Sequence, residues 1–279
     1  MTQTKIIDFH THAFPDALAP RAMAKLSETA ASSGYRPNTD GTVAGLLASM
    51  DAAGVSRSVV CNIATNAAQM RKVNDFALET ARLCDRLIPL GSLHPLAERE
   101  EMAEELDRLI AGGIRGIKIH PDYVGVALDD PAFDPVFELA SARGMFVVTH
   151  AGFDPVSPDK TFCTPDMILR VLDAHPALRL VAAHTGGFDR ETEVLEKLCG
   201  KDVYLDTSLS AVRAARDAAW GEQCAAILRA HRPDRLLFAS DTPWSDPAAE
   251  LSFLSGCGLS KDTLCRILWR NAEDLLTTV

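Results

Sequence analysis

Along this chain, short apolar and β-branched runs alternate with longer segments whose apolar residues return every three or four positions. The short runs read as buried strands, and the longer segments as helices with one face on a core. Strand-type runs occupy Lys5–Phe9, Arg57–Ile63, Leu87–Leu93, Gly116–His120, Met145–Thr149, Arg179–Ala183, Val203–Asp206 and Arg235–Ala239. Between them lie helix-type segments at Val43–Ala53, Ala67–Cys84, Arg99–Ala111, Pro131–Ala142, Pro165–His175, Arg190–Leu198 and Ala218–His231. Two more, Pro247–Leu254 and Lys261–Leu276, follow the last strand. Local punctuation agrees with these limits. Gly54, Gly112 with Gly113, and Gly144 stop helices, and Thr164 stands as an N-cap before Pro165.

A helix between successive strands predicts a parallel sheet, because parallel neighbours need a crossover. Eight such units in about 250 residues is the pattern of a (β/α)8 barrel. The predicted fold is therefore α/β, a TIM barrel, with residues 1–279 forming a single domain. A doubly wound open sheet is the runner-up. Its dinucleotide-binding form is disfavoured, since no Gly-x-Gly-x-x-Gly follows the first strand. Two stretches rich in turn-forming residues, Ser27–Thr42 and Phe153–Phe162, follow strands one and five. Both are expected as loops on the catalytic face of a barrel.

Composition narrows the function classes. The chain has 279 residues, 47% hydrophobic and 24% charged, with a net charge of -10. This suits a globular protein with a large core. It disfavours binding to a nucleic-acid backbone, which calls for a basic balance. No run approaches the roughly 20 apolar residues of a membrane span, and no secretory leader is read at the start, so the expected location is cytoplasmic. Seven cysteines with no Cys-x-x-Cys pair argue against both a disulfide framework and a zinc–thiolate site. They are read as buried, unreactive thiols.

The candidate chemistry sits at strand ends. His10 and His12 are two residues apart where the first strand stops, so both imidazoles face one side and can reach one metal ion. His150, His184 and Asp241 end strands five, six and eight. One histidine at a strand end is usually a structural hydrogen-bonder, but five ligand-type residues on one barrel face are hard to obtain by accident. Lys118 and His120 share inward parity on strand four. Asp206 and Ser208 end strand seven as candidate supports for the ligands. Arg213 is placed on the following loop as an anion clamp or a solvated surface charge, and Phe14 and Trp244 as apolar walls. His94 is open between a structural and a functional reading, and His175 and His231 are assigned no function.

These pieces resemble the amidohydrolase superfamily, in particular its amidohydrolase-related branch of hydrolases and decarboxylases. The resemblance rests on Asp8-Phe-His-Thr-His12, Gly116-Ile-Lys-Ile-His-Pro121, Thr149-His-Ala-Gly152, Ala183-His-Thr-Gly-Gly187 and Ala239-Ser-Asp-Thr-Pro-Trp244, in order along nearly the whole chain. It implies a divalent metal held by His10, His12, His150 and Asp241. Zn²⁺ suits these nitrogen and oxygen ligands, with Mn²⁺, Fe²⁺ or Co²⁺ as alternatives. It also implies that Asp241 takes a proton from water and that His184 acts as acid and base or polarises the substrate. Substrate binding falls to Lys118, His120, Trp244 and Arg213. Lys118 is read as a cation for a substrate carboxylate rather than a carbamate between two metals, since no strand-four glutamate accompanies it. The expected reaction is hydrolysis of an amide, lactone or ester of a small carboxylated molecule. Non-oxidative decarboxylation or hydration on the same site is the alternative, and a catalytically dead binding barrel is disfavoured by the intact ligands. Related decarboxylases tend to be longer, which leans toward hydrolysis. Monomer and homo-oligomer both remain open.

Overall fold

The computed structural model describes residues 5–277. Eight strands appear in the predicted order: β1 (Ile7–Thr11), β2 (Arg57–Cys61), β3 (Leu87–Leu90), β4 (Gly116–Ile119), β5 (Phe146–Thr149), β6 (Leu180–Ala182), β7 (Tyr204–Asp206) and β8 (Leu236–Leu237). All the pairings are parallel, β1 through β3 in one run and β4 through β8 in another. Backbone bonds join the two runs into a barrel. Gly91 N–H donates to Gly116 and Lys118 N–H to Gly91 across the β3/β4 seam. On the other side Phe9 N–H donates to Phe238, Asp241 N–H to His10 and His12 N–H to Thr242.

The helices are α1 (Ala19–Ser32), α2 (Val43–Ala53), α3 (Met70–Leu83), α4 (Arg99–Ala111), α5 (Pro121–Val124), α6 (Asp134–Ala142) and α7 (Pro165–Ala174). They continue with α8 (Glu191–Lys197), α9 (Ser210–Arg216), α10 (Ala218–Ala230), α11 (Pro247–Gly256), α12 (Lys261–Cys265) and α13 (Asn271–Thr277). Thr164 caps α7 by accepting from Met167 N–H, as its position predicts. Three expectations need correction. Residues 27–32, read as loop, are the last turns of α1, whose alanine-rich sequence favours helix. Arg213 lies within α9 and not on a loop. The predicted 261–276 helix is interrupted by a π-helical turn at Arg266–Arg270.

Two apolar layers follow from strand alternation. Phe9 of β1 and Phe146 of β5 have ring centroids 5.7 Å apart. These strands lie on opposite sides of an eight-stranded barrel, so their side chains meet only across its interior. Val59, Leu90, Val148, Val181 and Leu237 belong to the same cluster. A larger layer places Ile117, Ile119, Val147 and Leu205 with Leu106 of α4, Phe137 of α6 and Ile168 of α7. A further small cluster forms over the mouth. There Ala30 and Tyr35 from the segment after β1 pack with Phe188 and Leu209, flanked by Phe153 and Trp244. The two stretches read as mouth loops therefore reach the mouth, although one arrives on a helix. No helix among the described residues is long and apolar enough to cross a membrane.

Candidate metal centre

At the C-terminal ends of the strands the backbone leaves regular geometry. His184, Thr185, Leu209 and Asp241 have φ of 56°, 55°, 62° and 68°. Non-glycine residues in that region cost on the order of 1–3 kcal/mol each and persist only where the surroundings hold them. Two of the four are candidate site residues. Gly152 has φ +89°, and a Cβ there would lie 2.1 Å from the Phe188 nitrogen, so backbone packs directly against it.

The strand ends surround a cavity of about 680 Å³. His10, His12, Lys118, His120, His150, His184, Asp241 and Trp244 all line it, with Phe14 on its wall. Arg213 does not. Its guanidinium is buried, 3.0 Å from Glu191 and 3.1 Å from Asp189, and stacks at 3.8 Å on Trp220. With its charge matched by neighbouring carboxylates, it is a structural cation in this arrangement, not an anion clamp.

The hydrogen bonds decide where the imidazole protons sit. His10 Nδ1 is 2.9 Å from Asp206 Oδ2, a carboxylate oxygen that accepts. Burial, then the Lys118 charge, holds His10 well below the usual imidazole range, so it is neutral and its Nε2 is bare. His12 Nδ1 is 2.9 Å from the Cys61 carbonyl oxygen, which accepts its hydrogen bond and leaves Nε2 turned toward Asp241. Asp241 Oδ1 lies 3.0 Å from His12 Nε2 and 3.5 Å from His10 Nε2. It has no hydrogen-bond partner among the described residues.

Two imidazole nitrogens and a carboxylate oxygen therefore converge, in surroundings that raise the Asp241 carboxyl through burial. Such a group is costly to bury unless a cation completes it. The donor set fits a divalent metal, with the His–carboxylate support that oriented ligands usually have. Thiolate plays no part: burial pushes the nearby Cys61 thiol up to about 12.

The expected fourth ligand, His150, stands beside this triad and outside it. Its Nδ1 faces His184 Nε2 at 3.1 Å, and its Nε2 is buried without a partner. His184 is engaged at both nitrogens, since Nδ1 meets Ser208 Oγ at 2.8 Å. His184 lines the cavity with both ring nitrogens within hydrogen-bond distance of protein groups. Lys118 Nζ lies 3.1 Å from His10 Nε2, beside the lone pair a metal would take.

Sequence reasoning missed two groups. Tyr123 stacks on His120 at 3.7 Å, and His120 stacks on His150 at 4.2 Å, a parallel pile that fixes the His150 ring plane. Asp154, buried in the loop after β5, has Oδ2 3.8 Å from His120 Nε2. Burial raises its carboxyl to about 7. Its place on a mouth loop was a signal, but nothing in the residue itself showed that it turns inward.

The amidohydrolase family model matches residues 7–277. Among solved structures, an uncharacterized TIM-barrel protein from Bordetella bronchiseptica superposes with a TM-score of 0.72 at 21% identity, covering 98% of each chain. A 5-carboxyvanillate decarboxylase from Novosphingobium aromaticivorans, solved with manganese and a nitrobenzoic acid, gives 0.68 at 17% identity, over 98% of this chain and 97% of the other. A probable 2-pyrone-4,6-dicarboxylic acid hydrolase from Acinetobacter baumannii, with citric acid bound, gives 0.66 at 18%, over 98% and 99%. No curated protein matches the chain.

Proposed function

The chain belongs to the amidohydrolase family, and on that premise we propose that it is a metal-dependent hydrolase of a small carboxylated amide, lactone or ester. The reading rests chiefly on the unpaired Asp241 Oδ1 facing two imidazole nitrogens. His10, His12 and Asp241 would hold the ion, with His150 as the fourth ligand. A divalent ion held there would supply the positive charge that brings the pKa of water down toward about 7. Zn²⁺ suits the donors best, and Mn²⁺ is the next choice, given the manganese in one structural relative.

The chain's own groups supply the rest. Asp241, held in place by its N–H bond to the His10 carbonyl, accepts the proton of the attacking water and can return it to the leaving group. Lys118 contributes a buried ammonium. A substrate carboxylate set between that ammonium and a divalent ion would be attracted by both charges, beside the Asp241 carboxylate 3.5 Å from His10 Nε2. This argues for a carboxylated substrate. Trp244 and Phe14 cover the apolar part of such a molecule, and His120 with Asp154 offers a polar edge.

The same constellation can serve decarboxylation if a proton is delivered to carbon instead of water to an acyl group. Incubating the Zn²⁺- and Mn²⁺-loaded protein with carboxylated lactones, amides and aromatic acids separates the two. Hydrolysis gives ring-opened or cleaved acids with no gas. Release of carbon dioxide from an aromatic acid, with the lactones and amides untouched, overturns the hydrolase reading.

A further inference from the structure

We propose that Ser208 is a positioning residue: it sets the tautomers of His184 and His150 and so keeps His150 Nε2 a lone-pair donor toward the cation site. The inference rests on reading the mouth as a metal centre, yet its hydrogen-bond chain can be tested separately.

The chain starts at Asp206. Its Oδ1 accepts from the backbone N–H of His184 at 3.0 Å, from the backbone N–H of Ser208 at 3.1 Å, and from the Ser208 hydroxyl. Its Oδ2 takes the His10 Nδ1 proton. An ionised carboxylate only accepts, and a serine has one proton to give. With that proton on Asp206, Ser208 Oγ turns a lone pair toward His184 Nδ1, 2.8 Å away. His184 must then carry its proton on Nδ1, and its Nε2 is bare. The next contact, 3.1 Å to His150 Nδ1, is a hydrogen bond only if His150 carries its proton there. His150 Nε2 is left bare, and that atom is the one found buried without a partner. Run the other way, the chain would aim the Ser208 lone pair at the Asp206 charge and close His150 Nε2 with a proton.

The geometry is held from both sides. Ser208 is 2% exposed and precedes Leu209 at positive φ, while His184 and Thr185 share that conformation. One carboxylate, Asp206, thus orders His10 directly and His150 through two intermediates.

The test uses the full-length protein with ¹⁵N-labelled histidine. Long-range ¹H–¹⁵N correlation separates the two neutral tautomers in metal-stripped protein. Competition with a chelator then gives Zn²⁺ affinity. In the wild type, His184 and His150 should both carry hydrogen on Nδ1. Ser208→Ala removes the acceptor, should move both protons to Nε2, and should weaken Zn²⁺ binding by about 10–100-fold. Ser208→Thr restores the hydroxyl and should restore both readouts. A wild-type His150 protonated on Nε2 overturns the proposal, even if the variants fail to fold. So do unchanged tautomers in Ser208→Ala. Tautomers that switch while Zn²⁺ affinity holds overturn the link to the cation and remove His150 from the ligand set, leaving His10, His12 and Asp241 to be judged by metal content.

Discussion

Two buried polar clusters near the barrel mouth differ in one respect. Around Arg213, a guanidinium meets the carboxylates of Glu191 and Asp189 and the faces of Trp220 and Phe188. Its positive charge is answered within the chain. Around Asp241, a buried carboxylate oxygen lies 3.0 Å and 3.5 Å from two imidazole nitrogens and has no hydrogen-bond partner among the described residues. Arg213 and Glu191 in the first and Asp241 and His10 in the second are buried. The first is complete and serves packing. The second gathers nitrogen and oxygen donors of the kinds that bind a divalent ion, with Lys118 Nζ 3.1 Å from His10 Nε2. Burial and charge alone do not separate structure from function here; whether each donor and acceptor has a partner does.

The largest expected effect tests the incomplete cluster. Protein purified without chelator should hold about one divalent ion per chain, and replacing His10 and His12 together by Ala should remove both the ion and the activity. Elemental analysis of the double variant decides this, since full occupancy would end the assignment. Next in size is the complete cluster. Arg213→Met strands the buried Glu191 carboxylate and should cost about 3–5 kcal/mol in a urea titration, with metal content unchanged. Normal stability with a raised KM would instead restore the anion-clamp role.

Lys118 lies between the two cases, since it is a buried cation whose closest partner is a neutral imidazole. If it binds a substrate carboxylate, Lys118→Met should raise KM by about 10–100-fold with metal content intact, as loss of one charge-assisted hydrogen bond implies. Loss of an ion, with bicarbonate needed to load the wild type, would show a carbamate bridging two metals. Glu250 shows a third way to bury a carboxyl. Ser245 Oγ and Ala211 N–H donate to it, and burial pushes it up to about 8 from 4.5. Between those values the folded protein keeps a proton that the unfolded chain has released, so stability falls as pH rises through the window. Glu250→Gln removes that slope. Its urea midpoint should therefore gain on the wild type between about pH 5 and about pH 8. A difference that does not vary with pH would show that Glu250 ionises normally.

The alternation of apolar periods was enough to place all eight strands in order, and the residues just after them were enough to place His10, His12, His150, His184 and Asp241 on one face. Both follow from rules local to the chain, because strand parity and strand ends are set by neighbours in sequence. The helical end of α1 escaped, since a stretch of Ser, Thr and Gly reads as loop when its alanines are weighed too little. The fate of Arg213 and the protonation of the histidines were beyond local rules. Whether an arginine is matched depends on Glu191 and Asp189 reaching it, and which nitrogen of His184 carries hydrogen depends on Ser208 and Asp206 from the next strand. Those partners are brought together only when the barrel closes, and hydrogen bonds act over about 3 Å. The residue types that can hold a metal are therefore written along the chain, while the lone pairs that would do so are chosen by contacts that exist only in the folded barrel.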